Sequence, residues 1–318
     1  MDCDQERGYL RHMNESWPDL STTLTKIALF NHEHVEWPRV RRTGYLLHQH
    51  LRYEYPGPIY DLKQRLMILP TEQHGDQRRI DYRLDVSSAH FSMFCQEDTF
   101  GNKEIMLAIP QVEQAIAFET WILIERKADN APHYLPAHWL TDMRLLAPSA
   151  LTKPDDALRL IAASLLLSGL RGLALAKYIN QWVYQTLHYT HDVTTIHTTA
   201  AEVLTLKQGV CQDYAHLMLT LCRLCGLPSR YVSGHMQGEG GTHAWVEVLL
   251  PVPENSEVAL VVPFDPTHGR SVGLDYITVS VGRDYYDVAP TSGTFRASYH
   301  GQLTTHKKVS LTLLEYAE

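Results

Sequence analysis

The chain has 318 residues, of which 44% are hydrophobic and 20% charged. This composition is typical of an ordinary soluble protein with room for one large domain or two smaller ones. The 36 acidic residues outnumber the 28 basic ones and give a net charge of −8, which argues against a nucleic-acid or anionic-membrane partner.

Membrane insertion and secretion are also disfavoured. The most apolar stretch, Leu158 to Leu175, is interrupted by Arg159 and Arg171 and is not a spanning segment. Residues 1–7 are acidic and lack the apolar region of a secretory signal. The five cysteines are sparse and odd in number, which does not indicate a disulfide framework. We therefore expect a cytoplasmic protein whose thiols stay reduced, and its oligomeric state is left open.

The first half of the chain reads as a polar extension followed by a β-rich domain. Residues 1–42 form the extension, which is partly helical and has no recognisable chemistry. Apolar and polar residues then alternate in Tyr45–Tyr55 and again in Ile80–Val86, and a further strand is predicted in 115–125. The pattern predicts an antiparallel β-sandwich domain over residues 43–150, without a catalytic constellation of its own.

Helices open the second half. Four prolines between residues 132 and 154 mark a connection, and Asp155-Asp156 is a helix-start signal. A second helix is predicted from Leu173 to Leu187. We therefore expect a boundary near residue 150 and a catalytic domain over residues 151–318, which makes the chain an α+β protein.

Cys211 lies at the predicted start of another helix. The residues after it place apolar side chains on one helical face, and Gly226 and Pro228 end the helix. Gly209 allows a tight turn before the cysteine. Cys211 is then in the first helical turn, where unpaired N–H groups and the helix dipole favour a thiolate and could hold an oxyanion.

A histidine and an aspartate follow on predicted strands. His243 and Trp245 share one face of the run 242–250, and Asp265 ends the run 258–265. If these strands pair as a hairpin, Asp265 lies beside His243. Trp245 is either one wall of a substrate pocket or a core residue.

The order cysteine, histidine, aspartate predicts a thiol enzyme. A lone cysteine is more often a packed core thiol, but here a histidine is available to take its proton and a carboxylate to orient that histidine. The sequence thus assigns Cys211 as nucleophile, His243 as general base and acid, and Asp265 as the orienting group.

The segments around these residues resemble the transglutaminase-like superfamily, specifically bacterial members described as candidate cysteine proteases. Five blocks carry the resemblance in the same order, namely 209–216, 226–234, 243–248, 264–267 and 281–288. Residues from 43 to about 140 resemble the β-rich N-terminal domain of such proteins. One departure is His268, where many relatives have asparagine.

The resemblance implies a papain-like (transglutaminase-core) cysteine proteinase fold with the same three catalytic residues. It does not fix the reaction, because members include cross-linking acyltransferases, peptidases, amidases and proteins without the nucleophile. We expect a hydrolase of peptide or other amide bonds that forms a thioester. A transglutaminase-type acyltransferase and a non-catalytic scaffold remain the alternatives.

No cofactor or metal is expected from the sequence. Cys222 and Cys225 have C-x-x-C spacing but lie at the end of their helix, without a second pair to complete a zinc site. His48 with His50, and His32 with His34, lack a nearby set of carboxylates. No calcium-binding loop pattern is present.

Overall fold

A computed structural model describes residues 30, 34–128, 132–238 and 240–317. Most of the predicted extension, residues 1–42, therefore lies outside the described residues. The strands are β1 (Val40–Glu54), β2 (Ile59–Leu66), β3 (Gln73–His74), β4 (Gln77–Val86), β5 (Ser92–Glu97), β6 (Lys103–Val112), β7 (Ala115–Lys127), β8 (Tyr134–Pro136), β9 (His188–Tyr189), β10 (Gln208–Gly209), β11 (Ser229–Met236), β12 (His243–Val252), β13 (Asn255–Asp265), β14 (Arg270–Ser271), β15 (Tyr276–Gly282), β16 (Thr291–Arg296) and β17 (Gln302–Tyr316).

The helices lie between β8 and β16 in the chain. They are α1 (Met143–Leu146), α2 (Asp156–Leu167), α3 (Gly172–Thr186), α4 (Ala200–Leu206), α5 (Cys211–Leu224) and α6 (Tyr285–Val288), with short 3₁₀ turns at Trp37–Arg39 and Ala137–Leu140. In the described part of the chain, no helix is long and apolar enough to cross a membrane.

The chain forms two compact units. The first comprises the described parts of residues 1–72, 78–127 and 290–318, and the second comprises residues 73–77 and 128–289. The predicted boundary near residue 150 and the predicted single domain over 151–318 are therefore corrected. The reason is β17, which pairs antiparallel with β1 from Val40↔Tyr316 to Glu54↔Gln302 and so returns the end of the chain to the first unit.

Two sheets make up the first unit. One contains β17, β1, β7 and β4 in that order, and the other contains β16, β2, β6 and β5. The alternation read from Tyr45–Tyr55 is present in β1, where Tyr45, Leu47 and Leu51 are buried. Side chains alternate between the faces of a strand, so this pattern puts one face of β1 in the apolar core.

The second unit is built on an antiparallel sheet with the strand order β14-β13-β12-β11-β15, to which β8 adds along β13. Ala244, Val246 and Val248 of β12 pack in one hydrophobic cluster with residues of α5 such as Leu217 and Leu221. Helices α2, α3 and α4 also contact α5. For this reason α5 is buried from Asp213 to Arg223, and not only along the single apolar face that its sequence indicated.

The predicted start of α2 is confirmed. Asp155 is the N-cap residue, and its carboxylate accepts a hydrogen bond from the Leu158 N–H at 2.8 Å. Such a cap satisfies one of the N–H groups that a helix start leaves unpaired. The second predicted helix, Leu173 to Leu187, corresponds to α3 with a shift of one residue at each end.

The pairing of β17 with β1 predicts that the last strand stabilises the first unit. Leu311 lies opposite Tyr45 and is 1% exposed, whereas Leu303 on the same strand is 42% exposed. We expect Leu311→Ala to lower the free energy of unfolding by about 2–5 kcal/mol, because it leaves a cavity in the core. Leu303→Ala is the matched control and should change it by less than about 0.5 kcal/mol. Urea denaturation measures both, and equal small effects would contradict a core role for β17.

Candidate active site

Cys211 is the first residue of α5, as the sequence predicted. Val210 before it is the extended N-cap residue, and the cysteine is partly exposed. N–H groups in the first turn of a helix have no acceptor within that helix. The Cys211 sulfur therefore lies beside donors and at the positive end of the helix dipole, both of which favour negative charge.

The turn before Cys211 is held by Asp213. Its Oδ2 accepts hydrogen bonds from the Val210 N–H at 2.8 Å and the Thr194 hydroxyl at 2.6 Å. Burial raises the pKa of the Asp213 carboxyl, and these two hydrogen bonds oppose the rise. A Cβ at Gly209 would collide with the Asp213 side chain. Gly209 does not have a positive φ, so its backbone conformation does not require a glycine. The close approach of Asp213 does.

His243 is the first residue of β12, and the residue before it lies near the thiol. The Cys211 sulfur is 4.0 Å from the carbonyl oxygen of Thr242, the residue that precedes His243. The His243 Nε2 atom is 2.8 Å from Asp265 Oδ2, and the two side chains are 1% and 0% exposed. The predicted hairpin brings them together, because β12 pairs antiparallel with β13 through Val246↔Phe264.

Three side-chain groups converge on one oxygen of Asp265. His243 Nε2, His268 Nδ1 and the Tyr276 hydroxyl lie 2.8, 2.7 and 2.6 Å from Oδ2. The other oxygen accepts from the Thr267 N–H at 2.8 Å. Burial alone would raise the pKa of Asp265, but the hydrogen bonds and the charge of His243 outweigh it and hold the pKa well below its usual range. Asp265 is therefore ionised at neutral pH.

This geometry also assigns the nitrogens of His243. A carboxylate only accepts hydrogen bonds, so the Nε2 that faces Asp265 carries a proton. Nδ1 is then the ring atom that can take a proton from a thiol. A buried carboxylate fixing the imidazole tautomer is the arrangement that general-base catalysis needs.

Tyr276 and His268 were missed as partners of Asp265. Tyr276 is fully buried, and its pKa is raised by burial and by the negative charge of Asp265, so its hydroxyl stays a donor. His268 is 36% exposed in its side chain. Nothing in the spacing of Tyr276 marks it in the sequence. His268 was visible only as a departure from the family pattern.

Trp245 is a core residue in this structure. It is 0% exposed, lies 6.1 Å from the His243 ring in a stacked arrangement, and meets the Tyr276 ring edge-on at 5.4 Å. A Cβ at Gly234 would collide with the indole. The structure therefore favours packing beneath His243 over the predicted wall of a substrate pocket.

Two family models match parts of the chain. Residues 162–265 match the transglutaminase-like superfamily, and residues 45–125 match the bacterial transglutaminase-like N-terminal region. The chain has a transglutaminase-like core. The first match ends at Asp265 and includes Cys211 and His243. Proteins of this superfamily are typically enzymes.

The curated relatives cover only parts of the chain. An uncharacterized protein of Mycobacterium leprae is 36% identical over 125 residues, which are 36% of this chain and 42% of that one. Uncharacterized proteins of Mycobacterium bovis and Mycobacterium tuberculosis are 35% identical over 174 residues, or 51% of this chain and 54% of theirs. The chain thus matches about half the length of these relatives.

A solved structure covers more of the chain. The crystal structure of a candidate cysteine protease from Cytophaga hutchinsonii aligns over 88% of this chain and 94% of its own, with a TM-score of 0.69 and 19% identity. At this identity the likeness shows a shared fold. The transglutaminase-like core and its β-rich N-terminal region are therefore supported both by family matches and by architecture.

The ionised state of Asp265 predicts the reactivity of the thiol. Asp265→Asn replaces the charge that stabilises a protonated His243, so we expect alkylation of Cys211 by iodoacetamide at about pH 5.5 to slow at least tenfold. The matched control is Asp275→Asn, since Asp275 is also buried but pairs with Arg270 at 2.7 Å. Mass spectrometry of the labelled peptide gives the rates. Equal rates in both variants would mean that Asp265 has no special role.

Proposed function

We propose that the protein is a thiol-dependent hydrolase of amide bonds in peptides or proteins. The observation that carries this proposal is the buried hydrogen bond between His243 Nε2 and Asp265 Oδ2. The residue before His243 is Thr242, and its carbonyl oxygen lies 4.0 Å from the Cys211 sulfur. A buried ionised carboxylate is costly unless it is paired. This pairing supports the tautomer in which Nδ1 of His243 is the basic ring nitrogen.

The first half of the reaction forms a thioester. His243 Nδ1 removes the proton from Cys211, and Asp265 stabilises the resulting imidazolium. The thiolate attacks the carbonyl carbon of the substrate amide, and the oxyanion is stabilised in part by the Cys211 N–H. When the C–N bond breaks, the protonated His243 donates its proton to the departing amine.

The second half regenerates the thiol. The neutral His243 removes a proton from a water molecule, which attacks the thioester carbonyl. The C–S bond then breaks, the carboxylic acid leaves, and the proton held by His243 returns to the sulfur. His243 donates each proton that it removes, first to the departing amine and then to the sulfur, so the cycle needs no cofactor.

Acyl transfer to an amine is the alternative, and the family match is compatible with either reaction. It shares every step up to the thioester and differs only in which nucleophile attacks it. We place hydrolysis first because transfer needs a second pocket for the amine, and no residue set in the sequence indicated one. A scaffold role would leave the Cys211 thiol unactivated.

The activated thiol is tested first. We expect Cys211 to be alkylated rapidly at about pH 5.5 when His243 takes its proton, whereas an unassisted thiol with the ordinary pKa of about 8.5 reacts little there. Burial raises the pKa of Cys222 and Cys225, so these thiols are internal controls that should stay unlabelled.

His243→Ala should abolish the rapid labelling, whereas His48→Ala should not. His48 pairs with Glu119 at 2.8 Å and belongs to the first unit, which makes it a suitable histidine control. Slow labelling of Cys211 in the wild type, unchanged in His243→Ala, would place the scaffold role ahead of catalysis.

The product formed from the thioester distinguishes hydrolysis from acyl transfer. Incubation with glutamine-containing peptides and a biotin-linked primary amine should give free carboxylate products without biotin, and Cys211→Ala should give none. Mass spectrometry distinguishes the products. A biotinylated peptide that depends on Cys211 would contradict the hydrolase-only proposal and establish acyl transfer.

A further inference from the structure

We infer that His74, His133 and Glu247 form a second site, which binds a divalent transition metal, with zinc the best match. One donor atom from each residue lies within 4.8 Å of the other two. The three residues come from β3, from the residue before β8, and from β12, and all belong to the second unit. This inference does not depend on the proposed hydrolase function.

Backbone pairing holds the three residues in place. The carbonyl oxygen of His133 accepts a hydrogen bond from the Val261 N–H at 2.9 Å, and β8 pairs with β13 directly after it. The Gln77 side chain, three residues after His74, bonds both the N–H and the carbonyl of Thr278, at 2.8 and 2.7 Å. The donors are thus preorganised, although they come from distant parts of the sequence.

Glu247 supplies the negative charge. It is 3% exposed, with Oε1 at 2.8 Å from His74 Nε2 and Oε2 at 2.6 Å from Arg230 Nε. Each carboxylate oxygen is thus paired with a basic side chain, which is how a buried carboxylate is kept charged. Oε1 therefore faces the histidines as a carboxylate oxygen, while Arg230 orients the carboxylate from its other side.

His133 supplies a lone pair without a protein partner. Its ring meets the His74 ring edge-on at a centroid distance of 4.7 Å, but neither ring nitrogen has a hydrogen-bond partner among the described residues. Its ring nitrogens are therefore available to a ligand on the side that faces His74 and Glu247. A neutral imidazole nitrogen is a preferred zinc ligand.

Two histidines and one glutamate are a ligand set that zinc uses when a fourth position stays open. Ligand distances of about 2.0–2.2 Å put neighbouring donors roughly 3.3 Å apart in a tetrahedral site. When a metal enters, His74 Nε2 and Glu247 Oε1, now 2.8 Å apart, would separate slightly, and any pair of donors near the 4.8 Å limit would move closer together. The metal would replace the proton between His74 and Glu247.

Arg230 adds a further positive charge at this site. Its guanidinium lies beside the cluster, and its buried Nη2 atom has no hydrogen-bond partner in the described residues. An anionic fourth ligand, such as hydroxide or a carboxylate, would offset the excess positive charge and could accept a hydrogen bond from this group. Without such a ligand, Nη2 keeps the cost of a buried unsatisfied donor.

The test is zinc binding by protein that has been stripped with a chelator. We expect wild type to bind one equivalent in competition with a chromophoric chelator, and to gain thermal stability with zinc. His133→Ala should weaken the affinity at least tenfold and remove that gain. His138→Ala is the matched control, because His138 stacks on Trp139 outside the cluster.

Zinc could also bind to the thiol of Cys211. The titration is therefore repeated in Cys211→Ala, which should still bind one equivalent of zinc. His74→Ala gives a second route if His133→Ala does not fold. Absence of a bound equivalent, or equal affinity in the wild type and the folded ligand variant, overturns the inference. Loss of the equivalent in Cys211→Ala also overturns it, since the metal would then be at the other site.

Discussion

The buried carboxylate of Asp265 is the constraint on which the candidate active site depends. A charge with no exposure to water would neutralise itself by binding a proton unless donors surrounded it. His243, His268 and Tyr276 supply three donors to one oxygen, and the backbone N–H of Thr267 supplies a donor to the other. Because these donors come from β12, β15 and the turn after β13, the sheet must form in its correct register before the carboxylate can be ionised there.

The pairing of β12 with β13 was predictable, because it follows from local patterns. The run from Thr242 to Leu250 alternates in a way that puts His243 and Trp245 on one face, and pairing it with the run 258–265 as a hairpin was expected to bring Asp265 beside His243. The structure has this hairpin as β12 and β13, with Asp265 at its end. Cys211 at the start of α5 was predictable for the same reason, since the apolar periodicity and the preceding glycine define where the helix begins.

Contacts between distant segments were not predictable from the same patterns. Tyr276 reaches Asp265 through the pairing order of the sheet, in which β15 lies beside β11, and no spacing in the sequence encodes that order. The return of β17 to β1 was missed for an equivalent reason: a strand pattern shows that a strand exists but not which edge it joins. His74, His133 and Glu247 likewise come together only through tertiary pairing, so motif spacing gave no sign of them.

The faces of β12 show how one strand can serve both packing and chemistry. Ala244, Val246 and Val248 point into the apolar core, while His243, Trp245 and Glu247 share the opposite face. Strand geometry puts His243 and Glu247 about 13 Å apart, with the fully buried Trp245 between them. The two buried carboxylates therefore have separate compensating groups: Asp265 is balanced by His243 and its hydroxyl and imidazole donors, and Glu247 by Arg230. A change at one cluster should leave the charge balance of the other intact, because the two clusters share no residue and lie about 13 Å apart along the strand.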